Sequence, residues 1–93
     1  MEFEWHDKKS KSNLAKHGIS FEEAKSVFLD EFARLKHDPD HSHDEDRFML
    51  LGLSSLMKLL VVIHVEIEDD VIRIISARKG TRKEAAIYRS FKS

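Results

Sequence analysis

The chain has 93 residues, a formal net charge of −1 at pH 7 and no cysteine. This length predicts one domain over residues 1–93. The lack of cysteine excludes a disulfide framework, a zinc–thiolate site and thiol catalysis. No apolar run approaches the roughly 18 residues of a membrane-spanning helix, and the first residues do not form a signal peptide. We therefore expect a cytoplasmic protein with no membrane partner.

The N-terminal third predicts one strand followed by two helices. Phe3–Trp5 alternates and indicates a short strand. Asp7 can cap a helix from Lys8 to Lys16 that ends at Gly18, with Leu14 as its main apolar anchor. A capping box from Ser20 to Glu23 opens the second helix, which ends near Leu29. Its core positions recur at helical spacing: Phe21, Ala24, Val27 and Phe28.

The remainder predicts four strands and a closing helix. Phe32 to His37 forms a strand before the acidic loop Asp38–Asp46. Three strands in quick succession then predict an antiparallel meander: Arg47–Leu53, Leu59–Ile67 and Val71–Arg78. A second capping box, Thr81 to Glu84, opens the last helix. We predict an α+β fold of order β-α-α-β-β-β-β-α, a small twisted, mainly antiparallel sheet with helices on one face.

One strand suggests which face of the sheet is buried. The odd positions from Leu59 to Ile67 are uniformly apolar, whereas the even positions end in His64 and Glu66. We therefore expect the second helix to pack on the odd face and Ile63 to be buried, so that Ile63→Asp would unfold the domain.

Charge is segregated along the chain. Residues 20–46 hold nine acidic and three basic residues, and residues 71–93 hold seven basic and one acidic. Ser76 and Arg78 are two apart on a strand, so they share a face just before a helix N-terminus. This combination suits a phosphodiester. Alternatively, Arg78 and Lys79 pair with the acidic middle segment.

With these residues in view, the chain resembles the BrnT family of type II toxins. The most specific segment is Arg73 to Glu84, and further features occur over almost the whole chain: Phe3-Glu4-Trp5, Asn13-Leu14, Lys16 to Ala24, Val27-Phe28, Glu45-Asp46-Arg47, Leu51-Gly52, Leu59 to Val62 and Tyr88. The resemblance implies a RelE-like fold and metal-independent RNA cleavage without a cofactor. It also implies a co-encoded BrnA-type ribbon-helix-helix antitoxin, with operator DNA bound only through that antitoxin.

The resemblance also implies roles for individual residues. Arg78 would stabilise the transition state, Arg47 would orient the phosphate, and Ser76 would position Arg78 or bond an oxygen. Basic side chains near the C-terminus would bind RNA: Lys79, Arg82, Lys83 and Arg89. His64 is a candidate general base, although a strand histidine is more often packed. The family favours arginine near Ile67, at Ala85 and at Ala86 and alanine at Gly80, so RNA attraction should be weaker here.

Other functions stay open at this stage. The chain could be a weak or inactive module that binds the antitoxin and acts in operon autoregulation. It could also bind single-stranded nucleic acid through Trp5 and the basic last helix. The loop Asp40–Asp44 contains metal-capable side chains, but a solvated acidic loop explains it better. The acidic loop from Asp38 to Asp46 also lies far along the chain from Arg78, which argues against a magnesium site there. A homodimer is a further alternative.

Overall fold

The computed structural model describes residues 1–42 and 44–92. The elements are β1 Glu2–Glu4, α1 Asp7–His17, α2 Phe21–Ser26, β2 Arg34–His37, β3 Arg47–Leu53, β4 Leu59–Ile67, β5 Val71–Lys79 and α3 Arg82–Lys92, with 3-10 turns at Val27–Leu29 and Pro39–His41. The predicted α+β class and element order are confirmed. No helix in the described part of the chain is both long and apolar enough to cross a bilayer.

The five strands form one sheet in the order β1-β5-β4-β3-β2. Strands β2 to β5 are an antiparallel meander, while β1 runs parallel to β5. Asp69 and Asp70 make the β4–β5 turn with left-handed φ angles of 65° and 62°, a conformation that aspartate tolerates better than most residues. The prediction of a mainly antiparallel sheet is confirmed.

The buried face of β4 is opposite to the predicted one. Leu60, Val62 and His64 are 0%, 0% and 1% exposed, and the first two belong to the main core with Phe21, Ala24 and Val27. Ile63 is only half-buried and lies on the other face. The prediction failed because β4 is apolar on both faces along most of its length, so periodicity could not choose between them.

Helix α1 is attached to the sheet by an amide rather than by an apolar side chain. The Asn13 side chain donates from Nδ2 to the carbonyls of Ile19 (2.9 Å) and Ala77 (2.8 Å), and its Oδ1 accepts from the Ala77 amide (3.0 Å). Leu14, the predicted anchor, is 52% exposed. Asp7 lies inside the first turn rather than at the cap, whereas Gly18 ends the helix as predicted with φ 71°.

Both predicted capping boxes begin helices, but only the second is reciprocal. Ser20 Oγ accepts from the Glu23 amide at 3.0 Å, while the Glu23 carboxylate accepts instead from the Ser54 hydroxyl at 2.7 Å. In the second box the Glu84 amide donates to Thr81 Oγ1 (3.1 Å) and the Thr81 amide donates to Glu84 Oε1 (2.8 Å). Helix α3 is thus fixed at its first turn.

Helix α3 departs from the prediction of helices on one face. Helices α1 and α2 contact β5, and Phe21 and Ala24 of α2 belong to the main core. The first turn of α3 contacts Arg78, and its last turn places Phe91 under the Arg34 guanidinium at 3.5 Å. Arg34 and Arg78 lie on the sheet face away from that core, since both belong to the cross-strand row Arg34–Leu51–Val61–Arg78.

The middle of α3 is tied to the rest of the domain through Asp30. The Tyr88 hydroxyl donates to Asp30 Oδ2 at 2.6 Å, and the Leu53 amide donates to the same oxygen at 2.8 Å. Burial and the adjacent carboxylate raise the pKa of Tyr88 to about 12. Burial alone would raise the pKa of Asp30, but the hydrogen bonds it accepts outweigh this and lower it. The bond therefore persists at neutral pH.

Candidate functional site

Three residues singled out in the sequence line one cleft. Arg47, Ser76 and Arg78 lie on the sheet face away from the α1–α2 core. They border a cleft of about 350 Å³, completed by Asp38, Asp40, Met49, Ile63 and Ile75. We call it the arginine cleft. The cross-strand pairs Val61–Arg78 and Ile63–Ser76 fix the position of the two β5 residues.

A β-bulge in β5 decides which face carries Ser76 and Arg78. Ile63 pairs with Ser76 and His64 pairs with Ile74, so Ile75 is the extra residue. Before the bulge Ile74 faces the core, and after it Ala77 does. Strict alternation would have placed Ser76 and Arg78 on the core side with Ile74. The bulge re-aims both side chains into the cleft, as bulges commonly do beside functional sites.

Arg78 is held in place by Glu84. Its Nη1 and Nη2 donate to the two carboxylate oxygens of Glu84 at 2.8 and 3.0 Å, and Nη1 also donates to the Lys79 carbonyl at 3.2 Å. The hydrogen bond from Arg78 lowers the pKa of Glu84 to about 2. The predicted alternative, pairing with the acidic middle segment, is wrong for Arg78, because its carboxylate partner belongs to the capping box of α3.

The Glu84 contact leaves part of the guanidinium for a ligand. Arginine has five N–H donors in a planar fork, and the contacts above use three of them. Nε–H and one Nη2–H lie together on one edge of the plane, and neither has a protein partner within residues 1–42 and 44–92. Two parallel donors of this kind match two oxygens of a phosphate.

Arg47 approaches the cleft from β3, together with a turn that folds back over the strand. The Asp38 amide donates to the Arg47 carbonyl at 2.8 Å, and the Arg47 amide donates to Ser42 Oγ at 2.9 Å. These bonds place Asp38 and Asp40 on the cleft. The sequence argument that the loop lies too far from Arg78 is therefore wrong for this part of it. Arg47 Nε is buried and has no hydrogen-bond partner in the described chain.

His64 is not part of the arginine cleft. Its ring lies on the core side of the sheet, 1% exposed, with ring centroids 4.9 Å from Phe28 and 6.0 Å from Phe48. Burial lowers its pKa, so the neutral ring is favoured. The candidate general base is therefore a packed histidine.

The sequence patterns did not predict that the carboxylates of Asp38 and Asp40 line the arginine cleft. The acidic residues of this loop are evident in the sequence, but nothing in the sequence indicates that the turn packs back over β3.

The other predicted residues lie outside the cleft. Lys79 pairs with Leu60 across the sheet, and so belongs to the face opposite to Arg78. Arg82, Lys83 and Arg89 are exposed on α3, and none borders the arginine cleft. Trp5 is half-buried against the core, with its ring centroid 5.9 Å from Phe21. This packing disfavours Trp5 as a stacking platform for a base.

The loop with metal-capable side chains lies only partly within the described residues. Among the side chains that the structure describes, no group of three or more histidine, aspartate or glutamate side chains is arranged to hold an ion. His43 and the side chain of His41, which belong to the loop considered from the sequence, lie outside that described set. The positive charge in the arginine cleft comes from its two guanidinium groups.

The geometry defines a small α+β domain whose sheet carries two arginines and a serine hydroxyl on one cleft. The family model described as "Ribonuclease toxin, BrnT, of type II toxin-antitoxin system" matches residues 5–84. The chain belongs to this family, and it is therefore a ribonuclease toxin with an antitoxin as its partner. The match includes the arginine cleft residues and extends to Glu84.

A solved structure agrees with the assignment. The 1.1 Å crystal structure of the Brucella abortus ribonuclease toxin BrnT superimposes with a TM-score of 0.66 and 25% sequence identity, covering 88% of this chain and 99% of that one. A comparison with curated protein sequences finds no significant match.

Proposed function

We propose that this toxin cleaves RNA in the arginine cleft without a metal ion. The observation that carries the proposal is the convergence of Arg47, Ser76 and Arg78 from two strands on one cleft, with one edge of the Arg78 guanidinium unpaired within the described residues. A phosphodiester bound there meets two cations and a hydroxyl. Preorganised donors of this kind stabilise the charge that develops on the phosphorane.

The chemistry is an internal transesterification. The ribose 2′-oxygen attacks the adjacent phosphorus and loses its proton, the bond from phosphorus to the 5′-oxygen breaks, and the leaving oxygen takes up a proton from solvent. The products are a 2′,3′-cyclic phosphate and a 5′-hydroxyl. Arg78 stabilises the phosphorane, Arg47 orients the phosphate, and Ser76 donates to a phosphate oxygen.

Asp40 is our candidate for the proton acceptor. It lines the arginine cleft on an exposed turn, and a carboxylate can accept the 2′-hydroxyl proton if it lies within hydrogen-bond reach of the ribose. Asp38 lines the same cleft but is 5% exposed, so it is less accessible to the ribose. General base assistance contributes roughly 10²–10⁴-fold to rates of this kind.

The test is RNA cleavage in EDTA with wild type, Arg78→Ala and Lys79→Ala. Removal of one charge-stabilising donor costs about 10²–10³-fold in rate, so Arg78→Ala should abolish growth arrest. Arg78→Lys should recover little, because an ammonium cannot reproduce the planar two-bond contact. Lys79→Ala removes one charge from the opposite sheet face and should cleave normally. Melting curves verify that each variant is folded.

Two results would contradict this mechanism. Cleavage that disappears in EDTA and returns with magnesium would show that a metal ion is needed. Undiminished cleavage by folded Arg78→Ala would remove Arg78 from the site.

We further propose a BrnA-type ribbon-helix-helix protein as the antitoxin, with operator DNA contacted only through it. Apolar side chains that the fold leaves exposed support a protein partner: Leu29 is 87% exposed, Leu35 55% and Phe91 53%. Self-association of the free toxin through the same side chains is the homodimer alternative. Co-purification with the co-encoded protein, and sedimentation of the isolated toxin, test the two.

A further inference from the structure

A second depression adjoins the arginine cleft along α1. Its volume is about 380 Å³, and it is lined by Lys8, Lys9, Ser12, Asn13, Lys16, His17, Ile75 and Ser76. We call it the lysine groove. Ile75 and Ser76 line both depressions, so the groove and the cleft adjoin at the β5 bulge.

The charged side chains that line the lysine groove include lysines but no carboxylate. These lysines are Lys8, Lys9 and Lys16, and none of the three makes an ion pair within residues 1–42 and 44–92. The arginine cleft, in contrast, contains Asp38 and Asp40 beside its arginines. Unpaired lysines on a concave surface attract an anionic ligand and release counterions when it binds.

The lysines are not needed to hold α1 in place. The helix is anchored by the buried Asn13 amide, and Lys8, Lys9 and Lys16 are exposed. Lys8, Ser12 and Lys16 are four residues apart and thus share one face of the helix. At 1.5 Å per residue, Lys8 and Lys16 are separated by about 12 Å along the axis. Consecutive phosphates of a stacked strand rise by roughly 3.4 Å, so the two lysines can contact different phosphates.

We infer that the lysine groove binds the backbone of the RNA strand on one side of the scissile phosphate, which itself lies in the arginine cleft. The inference rests on the proposed function for the position of the scissile phosphate. The RNA would pass over Ile75 and Ser76, where the two depressions meet. The contacts are to phosphates, so they add affinity without sequence preference. The path follows α1 rather than α3, which carries three of the four RNA-binding residues expected from the sequence, namely Arg82, Lys83 and Arg89.

The test compares two variants that each remove two positive charges. Lys8→Gln/Lys16→Gln changes the lysine groove, and Arg82→Gln/Lys83→Gln changes the exposed first turn of α3. The probe is a fluorescent 2′-O-methyl oligoribonucleotide of mixed sequence, which lacks the attacking hydroxyl and is not cleaved. Anisotropy titrations over a range of NaCl concentrations give the dependence of log K on log salt.

We expect the lysine groove variant to lose about 1.4 from the magnitude of that slope, or about 0.7 for each phosphate contact removed from a single strand. The α3 variant should keep the wild-type slope. An unchanged slope for the groove variant, or equal losses in both variants, would overturn the inference.

A cleavage assay separates this inference from the proposed function. A dinucleotide substrate spans only the scissile phosphate, so Lys8→Gln/Lys16→Gln should cleave it at the wild-type rate and lose efficiency on longer RNA. Wild-type protein that binds the uncleavable RNA as expected but cleaves nothing in EDTA would refute the proposed mechanism and still support the groove. A groove variant impaired equally on the dinucleotide would refute a role limited to the flanking strand.

Discussion

Asn13 connects α1 to the strand that carries the site, and its removal should be costly. The edge of β5 beside β1 is paired with β1 only from Val71 to Arg73. Farther along β5, the Asn13 side chain forms hydrogen bonds with the amide and carbonyl of Ala77, where a neighbouring strand would otherwise do so. Ala77 lies between Ser76 and Arg78. Loss of this contact frees the segment that aims both side chains into the arginine cleft.

The expected loss in the free energy of unfolding follows from the three hydrogen bonds of Asn13. Ile19 and Ala77 are each 0% exposed, so their backbone groups would lose partners in a site that water reaches poorly. At about 1 kcal/mol per hydrogen bond, Asn13→Ala should lower the free energy of unfolding by roughly 3 kcal/mol. For a domain of this size that corresponds to a fall of about 12–24 °C in Tm. Asn13→Asp should cost at least as much, because a carboxylate would face two carbonyl oxygens.

Thermal unfolding followed by circular dichroism measures the effect, with Leu14→Ala as the matched control. Leu14 neighbours Asn13 on the same helix but is 52% exposed, so its truncation should change Tm by a few degrees at most. Equal Tm values for Asn13→Ala and Leu14→Ala would refute the reasoning. RNA cleavage measured well below Tm should also fall for Asn13→Ala, because the position of Arg78 is no longer fixed.

Two further predictions concern the sheet and the Arg78–Glu84 pair. Val62 is 0% exposed on the core face, so Val62→Asp should abolish the cooperative urea transition. Ile63→Asp should remain folded and lose RNA cleavage, because its carboxylate would repel phosphate. Unfolding of both variants would contradict the assignment of the buried face. The pKa of Glu84 is depressed to about 2 from 4.5, so its contribution to stability is present above about pH 4.5 and is lost as pH falls toward 2. Because the pair is partly exposed, the contribution should be about 1 kcal/mol after screening. When urea unfolding is compared at pH 7 and pH 3, the free energy of unfolding should fall by about that much less in Glu84→Gln than in wild type. Identical pH dependence in the two proteins would argue against a stabilising Arg78–Glu84 pair.

Local sequence patterns determined most of the secondary structure. The bounds of β3 and β4 are as predicted, because runs rich in β-branched and aliphatic residues have a strong strand preference that turn residues interrupt. Gly18 and the Thr81–Glu84 box set a helix end and a helix start through bonds within a few residues. The two-residue spacing of Ser76 and Arg78 likewise placed them on one face. These features depend on neighbours in the chain, so the sequence contains what is needed to predict them.

Tertiary structure decided which face of the sheet carries the arginine cleft. The extra residue Ile75 reverses the alternation in β5, and a shift of one residue moves every following side chain to the opposite face. The position of Asp40 on the cleft that Arg78 also lines, and that of Asn13 against Ala77, depend on contacts between segments far apart in sequence. A single sequence specifies such contacts only through the packing of the whole domain, since strand register and helix placement are set by the core that all the elements share.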